Sequence, residues 1–196
     1  MMIRLLIVSL MLAGCAHRGG DVTLPLDVRA SYEQTTTDSP TLPRCYRGKR
    51  PVGLPYTAAD VAAIHMLGIG LIEQANVVTA YRPPSDVVAI EPWMPRAVLL
   101  HEIVHAGQVR AGHAGKWPRE AGAMVAEIAA LHAEGWSDDQ VRSLSRNNAQ
   151  TPDWVFQWIR TYGPVFHGDP SDVVVAYQWG QSADVFISIK TLIGTK

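Results

Sequence analysis

Beyond residue 55 the apolar positions of this chain recur mostly at helical spacing, and two short β-branched runs interrupt that pattern. Thr57 and Asp60 form a capping-box pair that opens a helical run from Ala58 to about Ala75, with Val61, Ile64, His65, Leu67, Leu71 and Ile72 on its apolar stripe. On that stripe His65 reads as a hydrogen-bonded core histidine, and the interior Gly68 and Gly70 either weaken the helix or permit close packing. Residues 77–81 and 86–90 read as two strands, or as one strand broken by the turn Arg82-Pro83-Pro84-Ser85. A helix follows from about Pro95 to Arg110, ended by the Gly-containing loop 111–115. Another begins near Pro118 and runs to about Glu134, where Gly135 stops it. Ser137 and Gln140 cap a short helix to about Ser145. Thr151-Pro152 and Gly163 bracket a further one, with Trp154, Val155, Trp158 and Ile159 on one face. The stretch 173–193 fits strand and helix equally well, and no internal repeat is present. The expected class is therefore α+β, mainly helical, with a small β-sheet.

The first residues follow a different pattern. Arg4 precedes the apolar run from Leu5 to Leu12, which is too short to span a bilayer and reads as the core of a signal peptide. It ends in Leu12-Ala13-Gly14-Cys15, which resembles the lipobox of bacterial lipoproteins. That resemblance implies removal of residues 1–14, lipidation of Cys15 and a membrane contact through the N-terminal lipid anchor. Ala16 stands where an Asp would favour inner-membrane retention, so the implied address is the bacterial cell envelope, on the outer membrane facing the periplasm. Residues 15–55 mix Gly, Pro, Thr, Ser and charged residues and read as a tether with an irregular segment, leaving 56–196 as the folded domain.

Composition narrows the function classes. With 47% hydrophobic and 18% charged residues and a net charge of -1, the chain is globular and has no basic run to follow a nucleic-acid backbone. Lipidation of Cys15 leaves Cys45, the second of two cysteines, without a partner inside the chain; an unmodified Cys15 could pair with it. Neither has a Cys or His two to four residues away, as a zinc-binding pair requires.

The chemistry lies in His101-Glu102-Ile103-Val104-His105. Two histidines four apart project from one helix face with Cβ atoms about 5–6 Å apart, so both imidazoles reach one Zn²⁺ ion. Glu102, one position round the helix, is placed to take a proton from an attacking water rather than to bind the metal. Uncharged flanks at Val98, Leu99, Leu100, Ile103 and Val104 suit a half-buried ligand helix.

This stretch resembles the zincin metallopeptidases, and among them the gluzincins, over roughly residues 77–134. The resemblance implies a zincin-like core: a small sheet packed on the HExxH helix, a loop, and a second ligand helix that supplies a Glu as third ligand. Gln108 and Ala111 stand where metzincins need Gly and His, which removes a third His at that spacing. Glu120 and Glu127 compete for the third position. Arg119-Glu120-Ala121 looks like the Glu-Ala pair of small gluzincins whose first motif is followed three residues on by a Gln, here Gln108, so Glu120 is preferred. Glu127 is closer to the longer spacing of thermolysin-like enzymes. The carboxylate that is not a ligand is expected to be solvated or to support one.

Tyr162, His167 and His113 are candidate contacts to a transition state or substrate, each also readable as an ordinary packing or loop residue. His132 faces either the site or solvent, and the Trp154 and Trp158 pair reads as core or packing surface. Together these readings describe zinc-dependent hydrolysis of peptide or related amide bonds in the bacterial envelope. The substrate would be a peptide, a protein or a peptidoglycan-type cross-link, with no nucleic acid involved. The alternative is a non-catalytic envelope lipoprotein whose metal site is structural or vestigial.

Overall fold

The computed structural model describes residues 53–75, 77–143 and 153–193. The stretch read as a signal peptide, Cys15 and Cys45 lie outside them. In chain order the elements are α1 (Ala58–Met66), β1 (Gly70–Glu73), β2 (Ala80–Arg82), a 3-10 turn (Pro83–Ser85), β3 (Val87–Ile90), α2 (Arg96–Arg110), α3 (Lys116–Ala133), α4 (Asp138–Ser143), α5 (Asp153–Tyr162), α6 (Ser171–Gln181) and α7 (Ala183–Ile193). The class is thus mainly helical α+β with a three-stranded sheet.

The first helix is shorter than its apolar pattern suggests. Thr57 and Asp60 do form a reciprocal capping box. The helix ends at Met66, and Gly68 at φ 70° reverses the chain into β1. Gly70 pairs with Val87, and a Cβ at Gly70 would lie 2.8 Å from the Val87 side chain, so the close strand approach requires glycine. Leu71 and Ile72, which a helix would have placed on one face, occupy adjacent strand positions instead. His65 is exposed rather than a core residue. The ambiguous stretch at the end of the chain is helical throughout, as α6 and α7.

In the sheet, β3 is central, parallel to β1 and antiparallel to β2. Val88, Ala89 and Ile90 of β3 are fully buried, as a strand flanked on both edges and covered by helices requires. The β2–β3 turn closes through Asp86, a non-glycine residue in the left-handed region at φ 52°. Its carboxylate accepts from the Tyr81 hydroxyl at 2.6 Å and from Arg110 at the end of α2, which also donates to Leu67 O at 2.7 Å and Gly68 O at 3.0 Å. One guanidinium thereby binds the end of α2 to the β2–β3 turn and to the entry of β1.

Helix α2 runs through the middle of the domain, packed mainly against α6 and α3 and against β2 and β3. Leu99, Leu100, Ile103, Val104 and Ala106 contribute to the core from it. The crossing with α6 is close because glycine stands on both sides: a Cβ on Gly107 would collide with Tyr177 O, and one on Gly180 with Val104 O. At the other end of α2 the buried Arg96 bonds Asp60 at 3.0 Å and Asp172 at 2.8 Å, and donates to Asp169 O. Asp172 accepts in addition from the backbone of His167 and Gly168, at 2.8 and 2.9 Å. A buried guanidinium survives in the core because its donors are satisfied in this way. It joins α1, α2 and α6 and so fixes where α2 begins.

Candidate metal centre

The glycines of the loop 111–115 bring the two ligand helices together. Gly112 at φ 73° and Gly115 at φ 98° let the chain turn back within a few residues. His113 N–H bonds Gln108 O at 2.9 Å and closes the end of α2. Helix α3 therefore starts beside α2, with Glu120 near its beginning and Glu127 about two turns further along.

Among the described residues, His101, His105 and Glu120 form the group that can hold a metal ion. The two Nε2 atoms are 3.1 Å apart, and Glu120 Oε2 lies 3.8 Å from that of His101 and 3.7 Å from that of His105. Both rings are oriented from behind. His101 Nδ1 meets the Glu127 carboxylate at 2.9 Å, and His105 Nδ1 meets Gln108 Oε1 at 2.9 Å. A carboxylate and an amide oxygen only accept, so each Nδ1 carries the proton. Each neutral ring then presents its Nε2 lone pair, and the two lone pairs converge beside a carboxylate. Such an arrangement is repulsive unless a cation or a proton sits among them. Two ligands at about 2.0–2.1 Å on a tetrahedral ion span about 3.3 Å, close to the separation seen here. The donor set thus fits a divalent ion with a preference for imidazole and carboxylate, and zinc is one such ion.

Gln108 serves both helices. While its Oε1 holds His105, its Nε2 donates to Arg119 O at 3.0 Å, next to Glu120. Gly122 faces the same amide, since a Cβ there would lie 2.8 Å from Gln108 Nε2. Gln108 is three residues from His105, a spacing that puts side chains on one face of a helix. In the sequence Gln108 stands out only as a point of resemblance, because its bridge to α3 has no sequence signature. Of the two competing carboxylates, Glu120 lies in the group that could hold a metal ion, and Glu127 lies behind His101 at its Nδ1.

Glu102 is buried, and its Oε2 accepts from the backbone N–H of Tyr81 at 2.8 Å. Tyr81 belongs to β2, which pairs on one side with β3 and turns this N–H towards α2. No side-chain pattern announces such a contact, because the donor is main chain. The other candidates lie elsewhere. His113 stacks on Phe186 of α7 with ring centroids 4.3 Å apart, and its Nε2 faces Gln181 O at 3.3 Å. Tyr162 is exposed at the end of α5, 5.6 Å from the Trp158 ring. His167 is exposed, with its backbone held by Asp172. His132 faces Asp138 at 3.1 Å, and burial lowers its pKa against the pull of that carboxylate.

Comparison of the chain with models of protein families, with curated proteins and with solved structures found no match.

Proposed function

We propose that the protein is a zinc-dependent metallohydrolase that cleaves peptide or related amide bonds, with a gluzincin-like core. The observation that carries this reading is the pair of imidazoles at His101 and His105, each with Nδ1 engaged by an acceptor and Nε2 turned towards Glu120. The order of small sheet, ligand helix, glycine loop and second ligand helix supports the same reading. His101, His105 and Glu120 hold the ion, while Glu127 and Gln108 orient the two rings. Bound zinc supplies a Lewis acid that polarises a carbonyl and acidifies water. Glu102 is the general base. With Oε2 held by the Tyr81 N–H, its Oε1 takes the proton of the attacking water and returns it to the leaving amine. The main chain of β2 thereby restrains the Glu102 carboxylate.

The test is a pair of measurements on purified protein, zinc content by atomic emission and hydrolysis of a quenched fluorescent peptide library. Glu102→Gln is expected to keep about one zinc per chain and to lose hydrolysis by at least about a hundredfold. His101→Ala and His105→Ala are expected to lose both. An active Glu102→Gln protein would remove Glu102 from the role of base, and a wild-type protein that takes up no zinc near neutral pH would end the reading.

The Leu12-Ala13-Gly14-Cys15 stretch supports placing this activity in the bacterial envelope, with the protein anchored by lipid at Cys15 and acting on peptide, protein or peptidoglycan-type substrates. No helix among the described residues is long and apolar enough to cross a membrane.

A further inference from the structure

Helices α5, α6 and α7 border a half-open cavity of about 520 Å³ lined by Trp158, Tyr162, Trp179, Asp184, Val185, Ile187 and Ser188. Three of the lining side chains are aromatic, and Asp184 is the lining residue that carries a charge. Trp158, partly buried against the core, stands one helical turn from Tyr162, with the two rings tilted at 45°. Tyr162 is 63% exposed, so its ring is open to solvent at the mouth of the cavity. Asp184 is in the first turn of α7, where a carboxylate also faces the positive end of the helix dipole. The helix is capped by Ser182, whose Oγ accepts from Val185 N at 3.2 Å.

One wall of the cavity touches the helix that carries Glu120. Trp179 Nε1 donates to Gly122 O at 3.0 Å, and Gly122 lies two residues after Glu120 on α3, facing Gln108. The residue that supports His105 and the ring that walls the cavity therefore meet at one point of the ligand helix.

We propose that this cavity receives a cationic side chain, lysine or arginine, of the peptide substrate; the inference rests on the hydrolase reading above. Aromatic faces carry negative quadrupole density that attracts an ammonium or guanidinium, and they also pack against its methylene stem. Asp184 supplies the opposite charge at the exposed side, where the charged end of such a side chain remains hydrated. An acidic side chain would meet the Asp184 carboxylate and the π faces with the wrong sign.

The experiment uses the zinc-loaded full chain bearing Glu102→Gln, so that peptides bind without being cut. End-blocked tripeptides Ala-Lys-Ala, Ala-Arg-Ala, Ala-norleucine-Ala and Ala-Glu-Ala are titrated by calorimetry and by NMR of the tryptophan indole N–H signals. The lysine and arginine peptides are expected to bind roughly fivefold tighter than the norleucine peptide and to shift the Trp158 and Trp179 signals. Asp184→Asn in that background should reduce the preference to near unity, and Asp184→Lys should turn it towards the glutamate peptide. Tyr162→Ser, at an exposed position, should weaken the basic peptides by a similar factor while zinc stays bound. Equal affinity for lysine and norleucine peptides, or an Asp184→Asn protein that keeps the preference, would overturn the assignment. Parallel digests with the wild-type protein separate the two readings. Cleavage of a peptide library with no enrichment of basic residues near the cut bond removes the cavity's role and leaves the hydrolase. Asp184-dependent binding without cleavage of any peptide supports the cation pocket and removes the hydrolase.

Discussion

At the scale of single residues, the division of labour between Glu120 and Glu127 follows from which atom of each histidine they face. Glu120 approaches both Nε2 atoms, whereas Glu127 bonds His101 Nδ1 on the far side of the ring. Removing a ligand and removing a support should therefore differ in kind. Glu120→Ala is expected to abolish stoichiometric zinc binding. Glu127→Ala should weaken it about 10–100-fold, and Glu127→Gln should restore much of the loss because an amide oxygen still accepts from Nδ1. Competition with a chromophoric chelator measures all three; equal affinity in Glu120→Ala and wild type would remove Glu120 from the ligand set. Affinity should also fall in acid, since the two imidazoles must be neutral to bind.

At the scale of elements, the geometry of the site depends on how closely α2 approaches α6. Both contact points are glycine, and the neighbouring atoms are main-chain carbonyls that a rotamer change cannot move aside. Gly107→Ala and Gly180→Ala should each destabilise the fold by roughly 1–3 kcal/mol or more through overpacking. Because Gly107 lies between His105 and Gln108, its substitution should also reduce zinc affinity. Urea unfolding of the two variants reads the first effect, and an unchanged midpoint for both would mean that the helices separate at little cost. The glycines of the 111–115 loop act differently. A Cβ at Gly112 would meet nothing within 4 Å, so substitution there costs backbone strain at φ 73° and no collision.

At the scale of the whole molecule, residues 53–56 are joined to the helical body through Glu134. Its Oε2 accepts from Leu54 N at 3.0 Å, and Arg96 N–H at the start of α2 donates to Leu54 O at 2.7 Å. Burial pushes the Glu134 carboxyl up to about 7 from its ordinary 4.5, with the Leu54 N–H and the charge of Arg96 pulling the other way. Between those values the folded protein holds a proton that the unfolded chain has released. The contribution of this group is therefore complete below about pH 4.5, declines as the pH rises towards 7, and is level above that. Glu134→Gln keeps an acceptor for Leu54 and carries no charge. It should exceed the wild type in stability by ~1–3 kcal/mol at pH 8 and match it at pH 4.5. Taking the difference of unfolding midpoints at each pH cancels the other titrations; a difference that does not change with pH would show that Glu134 is not the group responsible. The proposed membrane attachment belongs to this scale as well. Cys15→Ser is expected to move the protein from the membrane fraction to the soluble one, and persistence in the membrane fraction would point to another anchor.

What the sequence determined by itself was local. The capping box at Thr57 and Asp60, the extent of α2 and α3 to within two residues, and the placement of two histidines on one face follow from short-range geometry. The preference for Glu120 rests on the likeness of Arg119-Glu120-Ala121 to a Glu-Ala pair, and the loop with Gly112 and Gly115 turns α3 back so that Glu120 lies with the two histidines. Leu71 and Ile72 could not be assigned from pattern alone, since a short apolar run fits a helix or a strand until a partner strand such as β3 is present. The same holds for 173–193, whose helices are selected by packing on α2 and α3. The contacts that orient the site were also decided only in three dimensions. Glu102 is held by a main-chain N–H 21 residues earlier, and His101 by Glu127 26 residues later. A backbone donor has no sequence signature, and a carboxylate two turns down a neighbouring helix becomes a partner only once the crossing of α2 and α3 is set.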